Sequence, residues 1–199
     1  QYAKAKNLKK PVGMGHSMGA TLAFWIAASG PGLFDRIIAV DGAPFLAALA
    51  MPNATVESAK PMALNMKNGM AGQTPEQVYE YQKANLPNMI ASPERVLQVA
   101  EVAKLADSKT QAEVMYELFT TDLRQTVATI DCPVLVLGAW IAYKNYGVTH
   151  DSVFKNHTDQ LAMVKNAKVE LNDTAKHFIF YDDPQWFNEK VDAFLKASK

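Results

Sequence analysis

Apolar and polar positions fall in short blocks along this chain, and the period changes from block to block. "PVGMG" (11–15) is an apolar run of strand length; "SMGATLAFWIAASG" (17–30) follows with Leu22, Ile26 and small alanines at helical spacing, until Gly30 and Pro31 stop it. "FDRIIAVDGAPF" supplies a second buried strand over Arg36 to Val40, with Asp41 and Gly42 at its carboxyl end. From Pro44 to about Thr129 only helical patterns remain, with starts marked by "TPEQ" at Thr74, "SPER" at Ser92 and "SKTQ" at Ser108. Each places a hydroxyl at the cap position, and the first two follow it with proline. Strand patterns return in "CPVLVLGAW" and "AKVELN", with helices expected over 152–164 and 184–196. In the last helix Phe187, Val191, Phe194 and Leu195 form one apolar face. The opening "QYAKAKNLKK" reads as the final turns of a helix closed by Lys9 and Lys10, whose charge suits the carbonyl end of a helix, and Pro11 forbids its continuation.

Strands that alternate with helices imply an α/β fold: a parallel sheet with helices on both faces. The sheet and its helices come from 1–43 and 130–199, and 44–129 is a helical insertion between the second and third strands. Composition narrows the partners. Lys plus Arg equals Asp plus Glu at 20 each, without a basic stripe or acidic block, which argues against nucleic acid or an anionic membrane and fits a weakly charged small molecule. No apolar run approaches the roughly 18 residues of a membrane span. The single cysteine, Cys132, has no internal disulfide partner and precedes a run of Val and Leu, as a thiol buried at a strand start would; it leaves the compartment open.

Candidate chemistry centres on "GHSMG". A strand that runs straight into a helix needs a sharp turn, and the residue at its apex takes an unfavourable backbone conformation. Glycines two before and two after, Gly15 and Gly19, would remove clashing side chains, leaving Ser17 exposed over the strand end. The Met18 N–H, at the helix start, is then placed to hold an oxyanion. The alternative is a turn serine without chemistry. A serine nucleophile needs a base. His177, in "NDTAKHFIFYDDP" after the fourth strand, lies at the carboxyl edge of the sheet, the same edge as Ser17. His16 sits beside the serine and points elsewhere, packing the turn or bordering the pocket, while His150 and His157 surround a polar helix start and read as solvated. Asp183 caps the last helix and Asp182 flanks it.

From "GHSMG" to "HFIFYDDP" and the final helix, the chain resembles the α/β-hydrolase-fold serine hydrolases, in their capped, esterase-like branch. The resemblance covers nearly the whole sequence but only the second half of that family's core. It implies a Ser-acid-His set with Ser17 as nucleophile and His177 as base, and a cap formed by 44–129. In most of the family the acid follows the strand equivalent to "PVLVLG"; here the first acid after it is Asp151, itself suited to cap a helix ahead of Ser152. A minority branch, including the haloalkane dehalogenases, carries the acid where Asp41 stands, and Asp41 is preferred. Asn172, Asp173 and Asp122 are weaker candidates. The second oxyanion donor would come from a loop after an early strand, before Gln1, so the sequence reads as part of a longer fold, its missing half in the same or a separate chain. Any signal peptide would lie there too.

Methionine is concentrated in the insertion, and Met62, Met66 and Met70 repeat every four residues on one helix face. Such a stripe is able to line a pocket or to glue the insertion to the core. Phe45 and Trp140, just beyond strand ends, are further candidates for the pocket wall. Apolar lining without a cationic clamp points to a small neutral ester, cleaved through an acyl-enzyme without cofactor or metal. Thioesterase, amidase, lipase or cofactor-free haloperoxidase chemistry would use the same residues, and a hydrolase-fold protein that binds without turnover is the alternative from another class.

Overall fold

A short helix, α1 (Tyr2–Ala5), leads into the strand β1 (Val12–His16). The lysines at 9 and 10 do not close this helix, contrary to the sequence reading. Asn7 takes a left-handed conformation (φ 52°), and the Leu8 N–H reaches back to the Ala3 carbonyl at 2.9 Å. Asparagine tolerates that conformation, and the bond is the one that ends many helices.

The computed structural model describes residues 2–51 and 53–197. After β1 come α2 (Met18–Ser29), β2 (Arg36–Val40), the helices of the insertion, β3 (Val134–Ala139), a 3₁₀ segment (Ile141–Tyr146), then β4 (Ala167–Asn172). The four strands form one wholly parallel sheet in sequence order, β1-β2-β3-β4, the α/β architecture that the alternating pattern implies. Side chains of β2 and β3 are buried throughout, as expected of inner strands covered on both faces. Their alternation sorts the core. Ile37, Ala39, Val134 and Val136 face Ala20, Phe24 and Ala27 of α2. On the other face Ile38, Val40, Leu135 and Leu137 meet Ile179 and Val191, which belong to α9 (Ile179–Asp182) and α10 (Pro184–Lys196). Among the described residues β1 pairs on one side only, and Val12 and Met14 on it, with Leu22, Trp25 and Ile26 of α2, are exposed.

Between β2 and β3 the chain forms α3 (Ala47–Ala50), α4 (Val56–Met70), α5 (Pro75–Asn85), α6 (Pro93–Ala103) and α7 (Ser108–Thr120). Thr55 and Thr74 close capping boxes on α4 and α5, and Ser92 caps α6. The cap of α7 is Asp107, one residue before the expected Ser108: its carboxylate accepts the Thr110 N–H at 2.8 Å, a stronger bond than a hydroxyl gives. Helix α4 packs along α7, tied by Lys67 and Glu113 at 2.7 Å, and α5 packs along α6.

The helix after β3, α8 (His150–Gln160), begins and ends earlier than expected. Thr149 is its cap and forms a capping box with Ser152, so Asp151 lies inside the first turn instead of capping it. His157, expected to be solvated, is buried, because Val153, His157 and Leu161 share one face and that face turns inward. Its imidazole is pushed below the ordinary value by burial. Two helices complete the chain: the short α9, directly after the histidine loop, and α10, which matches its expected span. Asp183 caps α10, accepting the Trp186 N–H at 3.1 Å.

Candidate active site

The ladder runs one residue past the strand ends on the carboxyl side. The Ser17 N–H donates to the Val40 carbonyl (2.8 Å) and the Asp41 N–H to the Leu137 carbonyl (2.7 Å). Both residues therefore stand at the same sheet edge, and both carry positive φ, 54° at Ser17 (ψ −118°) and 44° at Asp41. For residues with a Cβ such conformations cost about 1–3 kcal/mol each. The turn at Ser17 is possible because Gly15 lacks a side chain: a Cβ there would lie 2.0 Å from the Gly19 carbonyl oxygen. Gly19 itself has open space where a Cβ would go, so the expectation that both flanking glycines are sterically needed holds for Gly15 alone. Gly42 is the second required glycine, its Cβ position being 2.6 Å from both the Ser17 oxygen and the Ala20 Cβ.

His177 lies between β4 and α9. Its Nδ1 is 2.5 Å from Asp41 Oδ2, with both side chains largely buried, while Asp41 Oδ1 accepts the Ala139 N–H at 2.8 Å. Both carboxylate oxygens are thus engaged, one by the imidazole and one by the end of β3. Asp151 takes no part in this pair: its side chain is fully exposed and contacts His150. Asn172 is buried and accepts the Thr174 and Ala175 N–H groups, Asp173 accepts the Trp140 Nε1–H (2.8 Å), and Asp122 is paired with Arg124. Ser17 is half-buried, and its hydroxyl makes no hydrogen bond among the described residues. Met18 opens α2, so its N–H has no carbonyl one turn back within the helix.

His16, counted on sequence among the pocket residues, has another use. Its Nε2–H donates to the His177 carbonyl at 3.0 Å, and its ring lies 4.5 Å from the His177 ring and 4.6 Å from that of Phe178. A carbonyl only accepts, which fixes the proton on Nε2. Burial, reinforced by the neighbouring His177, lowers the His16 pKa to about 4. Phe45 is wholly buried, with the Arg124 guanidinium over its ring and its N–H on Gln160 Oε1, so it forms no part of an open pocket wall. Met62, Met66 and Met70 are half-buried on α4, and Trp140 is half-buried beyond β3.

The sequence model of one family, described as an alpha/beta hydrolase family, matches residues 3–190 of this chain. The chain belongs to that alpha/beta hydrolase family. Solved structures agree on the fold. The structure of MenH from S. aureus superposes with a TM-score of 0.70 at 17% identity, over 98% of this hydrolase chain and 71% of that one. The enol-lactonase of Burkholderia xenovorans LB400 gives 0.70 at 19%, covering 98% and 69%. A carboxylesterase structure from the thaumarchaeon Nitrososphaera gargenis gives 0.70 at 16%, covering 98% and 67%. At such identities the likeness is one of fold. No curated protein matches the sequence. No helix among the described residues of this alpha/beta hydrolase is long and apolar enough to cross a membrane.

Three features around this edge were not read from the sequence. The Ala139 N–H, which fixes Asp41, is a backbone group and leaves no mark on residue type. The inward face of His157 was visible as the i, i+4 spacing Val153, His157, Leu161. Asp182 does not merely flank the cap of α10: it accepts the N–H groups of Ala91 (2.9 Å) and Lys176 (3.0 Å). The doublet "DDP" held the signal, because one aspartate suffices as a cap.

Proposed function

We propose that the protein is a serine hydrolase that cleaves a carboxylic ester of a small, largely apolar substrate through an acyl-enzyme on Ser17. The observation that carries this reading is the His177–Asp41 pair at the sheet edge where Ser17 stands strained at the start of α2. His177 takes the Ser17 proton as the hydroxyl attacks the carbonyl carbon. Asp41 accepts the imidazole Nδ1–H, fixing the tautomer and stabilising the cation that forms. The Met18 N–H holds the developing oxyanion. His177 then protonates the leaving alcohol, and in the second half it activates the water that releases the acid.

His16 supports this reading through its neutrality. A second imidazolium 4.5 Å from His177 would oppose the cation by about 4 kcal/mol at an effective dielectric constant near 20. Its low pKa keeps that charge away at neutral pH. The segment 44–129 serves as the cap over the site, and Met62, Met66 and Trp140 are pocket candidates.

The unpaired Ser17 hydroxyl favours the second reading, a protein of this fold that binds without turnover, although such contacts are commonly long before substrate arrives. A fluorophosphonate probe separates the two. Modification of Ser17 that is lost in Ser17→Ala, together with release of p-nitrophenol from p-nitrophenyl acetate, supports the hydrolase; an unreactive Ser17 in the folded protein refutes it.

A further inference from the structure

The loop that carries His177 is held from three sides. The His177 carbonyl accepts from His16, as described. On the residue before it, the Lys176 N–H donates to Asp182 Oδ2 (3.0 Å); on the residue after it, the Phe178 N–H donates to the Met89 carbonyl (3.2 Å). The other oxygen of Asp182 accepts the Ala91 N–H at 2.9 Å, and the Lys176 ammonium reaches the Pro87 carbonyl at 2.5 Å. Phe178 packs against the cluster of Leu86, Ile90, Val96 and Ala100, and the Arg95 guanidinium lies 5.0 Å from the Tyr181 ring. Two stretches about 90 residues apart, 87–91 in the helical segment and 176–182 beside the sheet, are thereby joined through one carboxylate.

We propose that Asp182 is a positioning residue that couples the placement of the helical segment to the placement of His177. The proposal rests on the reading of His177 as general base. Cap formation does not occupy Asp182, since Asp183 caps α10. A carboxylate that binds one N–H from each of two segments fixes their separation, because displacing either leaves an oxygen or an amide unpaired. Movement of 87–91, as when a substrate enters beneath the helices, is therefore passed to the main chain on both sides of His177. A base displaced by about 1 Å loses much of its effect, up to about 100-fold in rate.

The test compares Asp182→Ala and Asp182→Asn with the unaltered protein by amide hydrogen exchange and by steady-state hydrolysis of p-nitrophenyl acetate. The expected result is faster exchange at Ala91, Lys176 and Phe178 with β2 and β3 unchanged, and kcat lowered about tenfold or more with KM changed less than about twofold. Asp182→Asn, which retains one acceptor oxygen, falls between; it carries the test alone if the alanine variant does not fold. Unchanged exchange at 176–178, or faster exchange there with an unaltered kcat, overturns the proposal. An unaltered protein that neither hydrolyses the ester nor takes a fluorophosphonate refutes the hydrolase reading instead, and the exchange pattern then decides the coupling by itself.

Discussion

Replacing His16 by glutamine isolates the charge on one ring. The amide Nε2–H of glutamine occupies nearly the position of the imidazole Nε2–H, so the bond to the His177 carbonyl survives while the titration is removed. In the folded protein burial holds the His16 pKa at about 4 against an ordinary 6.5, so between those values the unfolded chain binds the proton and the folded one does not. Stability contributed by the neutral ring is complete above pH 6.5 and is lost as pH falls towards 4. Each pKa unit is worth 1.36 kcal/mol, which sets the loss at about 3 kcal/mol, or roughly 2 kcal/mol once partial solvent access is allowed for. His157 is lowered in the same direction and carboxylates titrate nearby, so the informative quantity is the difference between the two proteins. Urea unfolding at about pH 7.5 and about pH 4.5 measures it. The unaltered protein should lose roughly 2–3 kcal/mol more than His16→Gln over that interval; parallel losses in the two proteins would refute the assignment of a buried, neutral His16.

Three further outcomes follow from the geometry. Asp41→Asn should lower kcat for an ester by about 10³–10⁴-fold, as loss of tautomer control does in related chemistry, while Asp151→Asn, at a fully exposed side chain, should change it less than about twofold; the reverse ordering in the same kinetic assay would transfer the acid's role to Asp151. Ser17→Gly should abolish fluorophosphonate labelling and yet raise thermal stability, by about 1 kcal/mol, because glycine adopts φ 54° without the cost serine bears; a lowered Tm would show that the turn is not strained. Gly15→Ala, with its Cβ 2.0 Å from a backbone oxygen, should destabilise by about 3 kcal/mol or more, whereas Gly19→Ala should be neutral or stabilising by up to about 1 kcal/mol, and equal effects in thermal melts would disprove the asymmetry.

Much of the fold was legible because its signals are local. The span of β2, that of α10 and the caps at Thr74, Ser92 and Asp183 depend on neighbours within one turn or one strand, and the structure places them as the pattern implies. The misses share a different origin. Asn7 overrides two lysines because a single left-handed residue ends a helix more decisively than a favourable charge extends it. His157 was misjudged by the polarity of its neighbours, although only the face it occupies decides burial. Phe45 and Asp182 depend on what packs over them, which composition does not record. At the candidate site Ser17, His177 and the preferred Asp41 could be nominated from motif, loop position and strand end, whereas the contact of Asp41 with His177 and the exposure of Asp151 depend on the path of the chain after β3.

That path also explains why so much conformational strain gathers at one edge. Ser17 and Asp41 both take positive φ, and each is held by a ladder hydrogen bond to the neighbouring strand just past the regular pairing. The two turns lean on each other, since Gly42, next to Asp41, comes close enough to the Ser17 oxygen to forbid any side chain. A strained residue is retained only where its surroundings over-determine it, and here the surroundings are the second strained turn and the buried strands beneath. Relaxing either turn would lower the local energy and move a side chain off the edge; a Cβ at Gly15 would force open the Ser17 turn, and one at Gly42 would push the two turns apart. The cost in stability and the placement of Ser17 and Asp41 at one sheet edge are then two aspects of one geometry, and the Ser17→Gly variant measures the first while removing the hydroxyl that the second presents.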